Sequence, residues 1–399
     1  MKKKLPGTKK TNEDGRSEVK ASISNSVLSI RKAKGMAQGE LADRVGLTRQ
    51  AMYDIEANHY LPSTAIALRL AQVLDCRVED LFSLSKKGEA IEAEFIGDHA
   101  RDDRPVRVNL AHVGDRVIAR PIAELGDVLN FVVPADGIVT APFPEKHRKI
   151  HQRVLVELLH DRKEIEKHIV IAGCDPSMFI AGGHVRHLHG LSGITNWTMG
   201  SANALHALLE GEVHIAGVHL VDPRSGESNI PYLKRHVEGK DYLGIRFASW
   251  VQGILVKAGN PKDVRTIEDF GRPNLQLVNR EVGAGARFFL DALLKKSGIS
   301  GRQVKGYDRV VTSHLEVARL IRDGLADMGI GVESAARHFG LDFIPLQEER
   351  YDLILRKDVL GSHPVIARLF DAMVSRSFRQ ELEALGGYNL TDIGTSLNW

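Results

Sequence analysis

Short apolar runs, each closed by a glycine turn and followed by a helix-type stretch, recur from Ile169 onward. Ile169-Val170-Ile171-Ala172 ends at Gly173 and precedes helix-type Met178 to His187. Val213-His214-Ile215-Ala216-Gly217-Val218 follows helix-type Ala202 to Glu210. Leu275 to Asn279 precedes Ala286 to Lys296, which Gly298 ends, and Val317 to Arg322 with Ala326 to Ile330 repeats the unit. Strands alternating with helices of this length predict parallel sheet covered by helices. About 230 residues of it is large for one open sheet, so two lobes are expected.

The segment before Ile169 divides differently. Residues 1–20 hold seven Lys or Arg, three acids and no apolar run, and read as a basic disordered tail, either a solubilising end or an arm on DNA. Residues 21–85 repeat apolar positions at helical spacing, with breaks at Gly35, Gly46, Asn58 to Pro62 and Asp75 to Val78, which predicts about five short helices. Residues 86–165 read as a β-rich connecting module: Arg107 to Val113, Arg116 to Pro121 and Val128 to Val133 are punctuated by Gly114-Asp115, Gly126-Asp127 and Pro134-Ala135-Asp136-Gly137. Residues 166–399 form the alternating domain.

No run approaches the roughly 20 apolar residues of a membrane helix. Met1-Lys2-Lys3-Lys4 is followed by Leu5-Pro6-Gly7-Thr8 instead of an apolar core, so a cytoplasmic chain is expected. Cys76 and Cys174 are the two cysteines, which excludes a disulfide framework and any cysteine-only zinc site. A net charge of +3 is too small to argue for nucleic acid by itself. His184, His187 and His189 lack the i, i+4 spacing of a helical zinc site and read as a solvated face; no metal is expected.

Ala37 to Glu56 carries the most specific local signal. Gly46 suits a left-handed helix end, and Thr48 can cap the helix that follows. Leu41, Val45, Leu47, Met52 and Ile55 would close the core between the two helices, with small Ala42 at their close approach. This is helix-turn-helix spacing, in which the second helix enters the major groove by its N-terminus. Arg31, Lys32, Gln38, Leu41-Ala42, Gly46, Thr48, Ile55-Glu56, Pro62 and Val78-Glu79-Asp80-Leu81-Phe82 resemble the Cro/C1-type, or xenobiotic-response-element, family over about 60 residues. Asn58 stands where that family usually has Gly. The resemblance implies a double-stranded DNA operator, a homodimer, and Thr48, Arg49, Gln50 and Tyr53 facing the groove. It also implies Gln38 at the phosphate backbone, with Arg31 or Lys32 as further phosphate contacts.

In the alternating domain, Gly173-Cys174-Asp175-Pro176-Ser177, Gly200-Ser201-Ala202-Asn203, Asn279 to Arg287 and Thr312-Ser313-His314 each open a helix after a strand. Free N–H groups at helix starts bind anions, and ligands gather at the carboxyl ends of strands. Candidate ligand contacts are therefore Ser177, Ser201, Asn279, Arg280, Arg287 and Thr312. Arg287 is equally a lobe salt bridge. Cys174 reads as a small residue in a tight turn.

Ala172 to Pro176, Ala216 to Leu220, Asp222-Pro223, Gly259-Asn260-Pro261, Val278-Asn279-Arg280, Gly283 to Arg287 and Ala326 to Gly331 resemble a periplasmic-binding-protein-like domain of the molybdate-binding kind. Gly340 to Phe343 and Glu349 to Leu353 close that resemblance. It covers about 165–380 and implies a type II, two-lobed α/β fold with strands crossing near Ala248–Leu255 and Leu346–Leu353, and ligand in the cleft. Tyr351 joins the candidate ligand contacts from the second crossing strand so implied, and either reaches the cleft or packs the hinge. The expected protein is multi-domain and non-enzymatic, a transcription regulator sensing an intracellular oxyanion, molybdate or tungstate, without a resident cofactor. The alternatives are a larger anionic organic ligand, or an enzyme or cofactor-handling protein of molybdopterin metabolism.

Overall fold

The computed structural model describes residues 22–57, 59–85, 89–97, 105–125, 127–139, 152–189, 193–222, 224–237 and 241–399. The basic tail and Asn58 lie outside the described residues. Two compact units, 1–89 and 90–399, meet at Glu89 and Ala90 in the chain.

In the first unit β1 (Ser22–Asn25) leads into α1 (Val27–Ala33), α2 (Gln38–Val45), α3 (Arg49–Glu56), α4 (Thr64–Val73) and α5 (Val78–Leu81). Then β2 (Phe82–Ser85) returns antiparallel to β1, a pair the helical periodicity did not suggest. Val27, Leu41, Ala42, Val45, Met52, Ile55, Leu70, Leu74 and Leu81 form one core. Each of its larger aliphatic side chains contributes roughly 1.5–3 kcal/mol by leaving water.

The second unit begins with β3 (Ala90–Phe95), β4 (Val106–Val113), β5 (Arg116–Pro121), α6 (Asp127–Val132), β6 (Gly137–Val139) and β7 (Gln152–Leu158). Its strands close a barrel in the order β3-β5-β4-β6-β7. Of Val128 to Val133, read as extended, Val128 to Val132 is helical, a correction to the reading of that run. Arg107 donates to the carbonyls of Asn130 and Val133 at the helix's end, satisfying groups that a helix leaves open. The barrel is also no free connector. Ile96, Ala111 and Ile118 share a core with Val170, Ala172 and Trp197 of the sheet that follows.

After α7 (Arg162–Ile165) come β8 (Ile169–Gly173), α8 (Ser177–His189), β9 (Ile194–Thr198), α9 (Ser201–Leu209), β10 (Ile215–Val218) and α10 (Ile230–His236). The chain continues through β11 (Tyr242–Val256), β12 (Asn279–Arg280), α11 (Gly285–Lys296), β13 (Val310–Val311), α12 (His314–Arg322), β14 (Met328–Val332) and α13 (Glu333–Phe339). It ends with β15 (Asp342–Arg356), α14 (Lys357–Ser362), α15 (Pro364–Val374) and α16 (Arg376–Leu385). Every residue of β8 and β14 is buried, as expected of strands covered on both faces.

The main sheet runs β14-β11-β15-β10-β8-β9 and is mixed, not parallel as the alternation implied. Strand β8 pairs parallel with β9 and β10, but β11 and β15 traverse it in opposite directions and pair antiparallel. Of Leu275 to Asn279, only Asn279 lies in a strand, and Leu277 makes an isolated bridge to Met328. The 15-residue strands β11 and β15 carry the chain between two α/β lobes, with register shifts at Arg246/Ala248 and Gln252/Gly253. Buried Asn229, at φ +62°, fastens β15 to β10: its side-chain amide donates to Asp352, Val218 O and Arg350 O.

Candidate functional site

The first unit presents a helix-turn-helix. Gly46 ends α2 at φ +76°, and Thr48 Oγ1 accepts from Ala51 N at the start of α3. Arg49, Gln50 and Tyr53 are exposed along α3; Tyr53 stands edge-on to His59, and Gln50 donates to Asp54 Oδ1. Gln38 and Arg31 are engaged inside the fold instead of projecting freely. Arg31 makes a two-point pair with Glu56, at 2.5 and 3.0 Å, and donates to Met36 O, while Gln38 donates to Glu56 at 2.9 Å. Arg31 is thereby corrected from a phosphate contact to a structural residue, because its charge is buried and matched.

Arg49→Ala or Gln50→Ala is expected to lose roughly 1–3 kcal/mol of preference for the proper operator, with a smaller loss on random DNA. Quantitative gel shifts on both DNAs check this. Equal losses on both would mean these side chains touch only phosphate.

In the second unit polar side chains collect where β8, β10, α12 and the crossing strands meet. Cys174 and Asp175 leave the end of β8, His219 follows β10, His314 opens α12, Trp250 and Gln252 come from β11, and Glu349 and Tyr351 come from β15. Trp250 packs 4.8 Å from Tyr351, and His219 lies 5.3–6.1 Å from Trp250, His314 and Tyr351, ring to ring. The Tyr351 hydroxyl rests on Gly173 and Gly217. A Cβ at either position would lie about 2 Å from that oxygen, so glycine is required at both strand ends. A cavity of about 20 Å³ opens beside Asp175, Pro176, Trp250, His314, Ser334 and Tyr388, room for about one water.

The electrostatics follow from burial. Cys174, His219 and Glu349 form a thiol–imidazole–carboxylate line, with His219 Nε2 3.1 Å from Cys174 Sγ and Nδ1 2.8 Å from Glu349 Oε2. Burial alone lowers the His219 pKa, but Cys174 and Glu349 outweigh it and push it up to about 10. Burial pushes Asp175 above the usual carboxylate range, although Ser177 N–H and Tyr388 O–H donate to its Oδ1. Burial, and then the charge of Arg280, hold His314 well below the usual imidazole range.

The expected ligand residues separate into two groups. Ser177, Arg280 and Tyr351 are buried, and Ser177 Oγ, Arg280 Nη1 and Tyr351 OH have no partner. The rest are engaged locally. Ser201 Oγ accepts from His219 N, and Asn279 bridges Arg280 N and Tyr307 O. Arg287 pairs with Asp291 over the Tyr307 ring, the salt-bridge alternative, and exposed Thr312 bonds Glu316. The four helix starts do not all converge. Those of α8 and α12 reach the cavity, whereas the starts of α9 and α11 abut each other, with Ala202 N donating to Gly283 O.

Cys174, His219, Trp250, Gln252, His314, Glu349 and Tyr388 were not anticipated as site residues. The available signal was position: Cys174 and His219 directly follow buried strands, where ligand chemistry gathers in such folds. His184 is likewise not on a solvated face, since it meets Glu381 at 2.6 Å and stands edge-on to Phe378, tying α8 to α16.

Residues 27–81 match the family described as helix-turn-helix, and residues 182–373 the family described as PBP superfamily domain. YvgK of Bacillus subtilis is 33% identical over 221 residues, covering 55% of this chain and 70% of YvgK. An HTH-type transcriptional regulator of Methanothermobacter thermautotrophicus is 44% identical over 59 residues, covering 14% of this chain and 86% of that protein. Among solved structures, a phosphate-bound substrate-binding protein of a phosphate ABC transporter from Clostridium perfringens matches 57% of this chain and 99% of its own, at 11% identity and a TM-score of 0.43.

Proposed function

This chain belongs to the family of Bacillus subtilis YvgK and joins a helix-turn-helix to a PBP superfamily domain, and on that premise we propose that it is a DNA-binding transcription regulator sensing a small oxyanion, molybdate or tungstate, in the cleft between its lobes. The pairing of a DNA-reading unit with a ligand-binding one is a regulator's arrangement, not an enzyme's. One observation carries the ligand reading: Ser177 Oγ, Trp250 Nε1, Arg280 Nη1 and Tyr351 OH are buried donors without partners. Unpaired buried donors are costly and rare, so a site rich in them calls for an acceptor. Burial also favours the neutral form of Asp175, whose unpartnered Oδ2 then adds a donor instead of a charge.

The Arg280 fork argues for a simple ion over an organic phosphate or carboxylate. Glu281 already engages Nε and Nη2, leaving Nη1 alone for a ligand instead of a bidentate edge. A tetrahedral oxyanion exceeds the present cavity, so its entry requires the helix starts to part, a hinge motion of the kind that two-lobed binding folds make. The proposal includes a homodimer working in the cytoplasm, because one short helix-turn-helix reads one half-site. No helix among the described residues is long and apolar enough to cross a membrane.

Molybdate or tungstate at 100 times its dissociation constant is expected to stabilise the 90–399 unit by about 2.7 kcal/mol, read as a shift of its melting transition in the full chain. The barrel must be kept in the protein tested because it shares a core with the sheet. Ser177→Ala is expected to weaken binding by about 0.5–1.5 kcal/mol, one hydrogen bond's worth. Sulfate and phosphate serve as competitors. A transition that no oxyanion moves would remove the simple-ion reading.

A further inference from the structure

A separate feature of the same region does not depend on which anion the cleft holds. Cys174 Sγ and one ring nitrogen each from His219 and His314 all lie within 4.8 Å of one another, and all three residues are buried. No other such trio of potential metal ligands occurs among the described residues. His314 is 2% exposed and neither of its ring nitrogens has a partner. An imidazole enclosed in that way lacks the partner that buried polar groups almost always have. We propose that Cys174, His219 and His314 are the protein ligands of a zinc- or copper(I)-class metal ion, its remaining position turned toward the cleft.

The donor set selects the ion. One thiolate and two imidazoles suit zinc and copper, whereas magnesium and calcium require oxygen ligands. Zinc–sulfur and zinc–nitrogen bonds of about 2.3 and 2.0 Å place neighbouring tetrahedral ligands roughly 3.5 Å apart. The Cys174–His219 contact of 3.1 Å needs only a slight widening, and His314 must move inward by about 1 Å to meet that spacing. Glu349 supplies the outer partner. It faces Nδ1 of His219 at 2.8 Å, which turns Nε2 toward the thiol, and Gln252 donates to it at 2.7 Å and holds it in place. A carboxylate behind a ligating histidine fixes its tautomer and raises its basicity. The nearby positive charge of Arg280 opposes a cation, but its guanidinium is paired by Glu281 through two hydrogen bonds. The ion takes the place of whatever proton Cys174 Sγ and His219 Nε2 hold between them, so binding releases protons to solvent.

The test uses the full chain, stripped with a chelator and returned to Zn²⁺, Cu⁺ under anaerobic conditions, and Co²⁺ as the spectroscopic substitute for zinc. The expected result is one ion per chain, protons released on binding, and a thiolate-to-cobalt charge-transfer band. Cys174→Ser should abolish the band, and His314→Gln should sharply weaken binding. Glu349→Gln should keep the band while lowering affinity about 10–100-fold, the usual effect of losing an outer partner. Competition between Zn²⁺ and Cu⁺ decides which ion is preferred. Circular dichroism establishes that each variant is folded, and His314→Gln serves if Cys174→Ser is not. Stripped protein that takes up no stoichiometric ion, or ion binding that survives both variants, overturns the proposal. Oxyanion melting shifts measured on the stripped protein separate this outcome from failure of the oxyanion reading.

Discussion

Glu56→Ala is expected to unfold the helix-turn-helix unit and abolish operator binding while the 90–399 unit keeps its own melting transition. The Arg31 and Glu56 side chains are only 9% and 4% exposed, and the carboxylate also receives Gln38. One ion pair thus ties α1 to the end of α3 and to the start of α2. Removing one member of a buried pair typically costs 3–5 kcal/mol, because the surviving charge is left unmatched in the interior. A unit of about 60 residues has roughly 3–9 kcal/mol in total at the usual stability per residue. The variant therefore loses about a third or more of what holds the unit together. Calorimetry of the full chain should show the first transition vanish or fall steeply, and gel shifts should show operator binding lost. Undiminished operator binding would show that the pair contributes nothing to the unit's stability. The double change Arg31→Met with Glu56→Leu is expected to recover much of the loss, since apolar replacement of a buried pair is often neutral or better.

Stability of the second unit is expected to fall by about 3 kcal/mol as pH drops from about 6.5 to 4, through His214. Burial, then the neighbouring charge of His363, lowers its pKa from 6.5 to about 4. Between those values the unfolded chain binds a proton that the folded chain refuses, so stability declines with falling pH and levels off, for this group, below about 4. The refusal has a geometric cause. Nδ1 accepts from Val170 N at 3.0 Å, which a protonated ring cannot do, while Nε2 faces His112 O at 3.1 Å. This histidine therefore links the barrel strand β4 to the sheet strand β8. His363 and His314, both lowered by burial, add to the slope, whereas Asp175 and Asp352, both raised by burial, oppose it. Thermal melts across that pH range should show His214→Asn with a shallower slope than wild type. Parallel slopes would assign the acid sensitivity to other groups.

The helix-turn-helix was legible because its determinants are local. A glycine that must adopt positive φ, a threonine that caps three residues ahead, and apolar residues at helical spacing all act within a few positions. The same locality made α8, α9, α11 and α12 of the second unit readable to within a few residues at their ends, while α7, α10 and α13 to α16 were not read. It failed where a run had two uses. Val128 to Val133 carries β-type residues, yet Arg107 and the barrel's own pairing make Val128 to Val132 a helix, and the β1–β2 pair closes across the whole first unit.

The candidate site was legible only in outline. Reading helix starts after strands led to Ser177 and to the right end of the sheet, and the resemblance located the crossing strands near Trp250 and Tyr351. It could not tell that Ser201, Asn279, Arg287 and Thr312 are engaged by neighbours, because those partners are set by packing. It also passed over Cys174, His219 and His314, whose significance lies in their meeting.

What the sequence by itself determined is therefore the locally specified elements: the helices of the first unit with the Gly46 and Thr48 ends, and β8, α8, α9, β10, α11, α12 and β14 of the second. Those follow from backbone sterics and short-range periodicity. The tertiary structure alone decided the mixed sheet, the fusion of the barrel to it, and which polar atoms are left without partners. Each of these depends on side chains dozens of residues apart being brought into a dry interior. There an unpaired donor or a buried charge is expensive enough to decide what the site will accept.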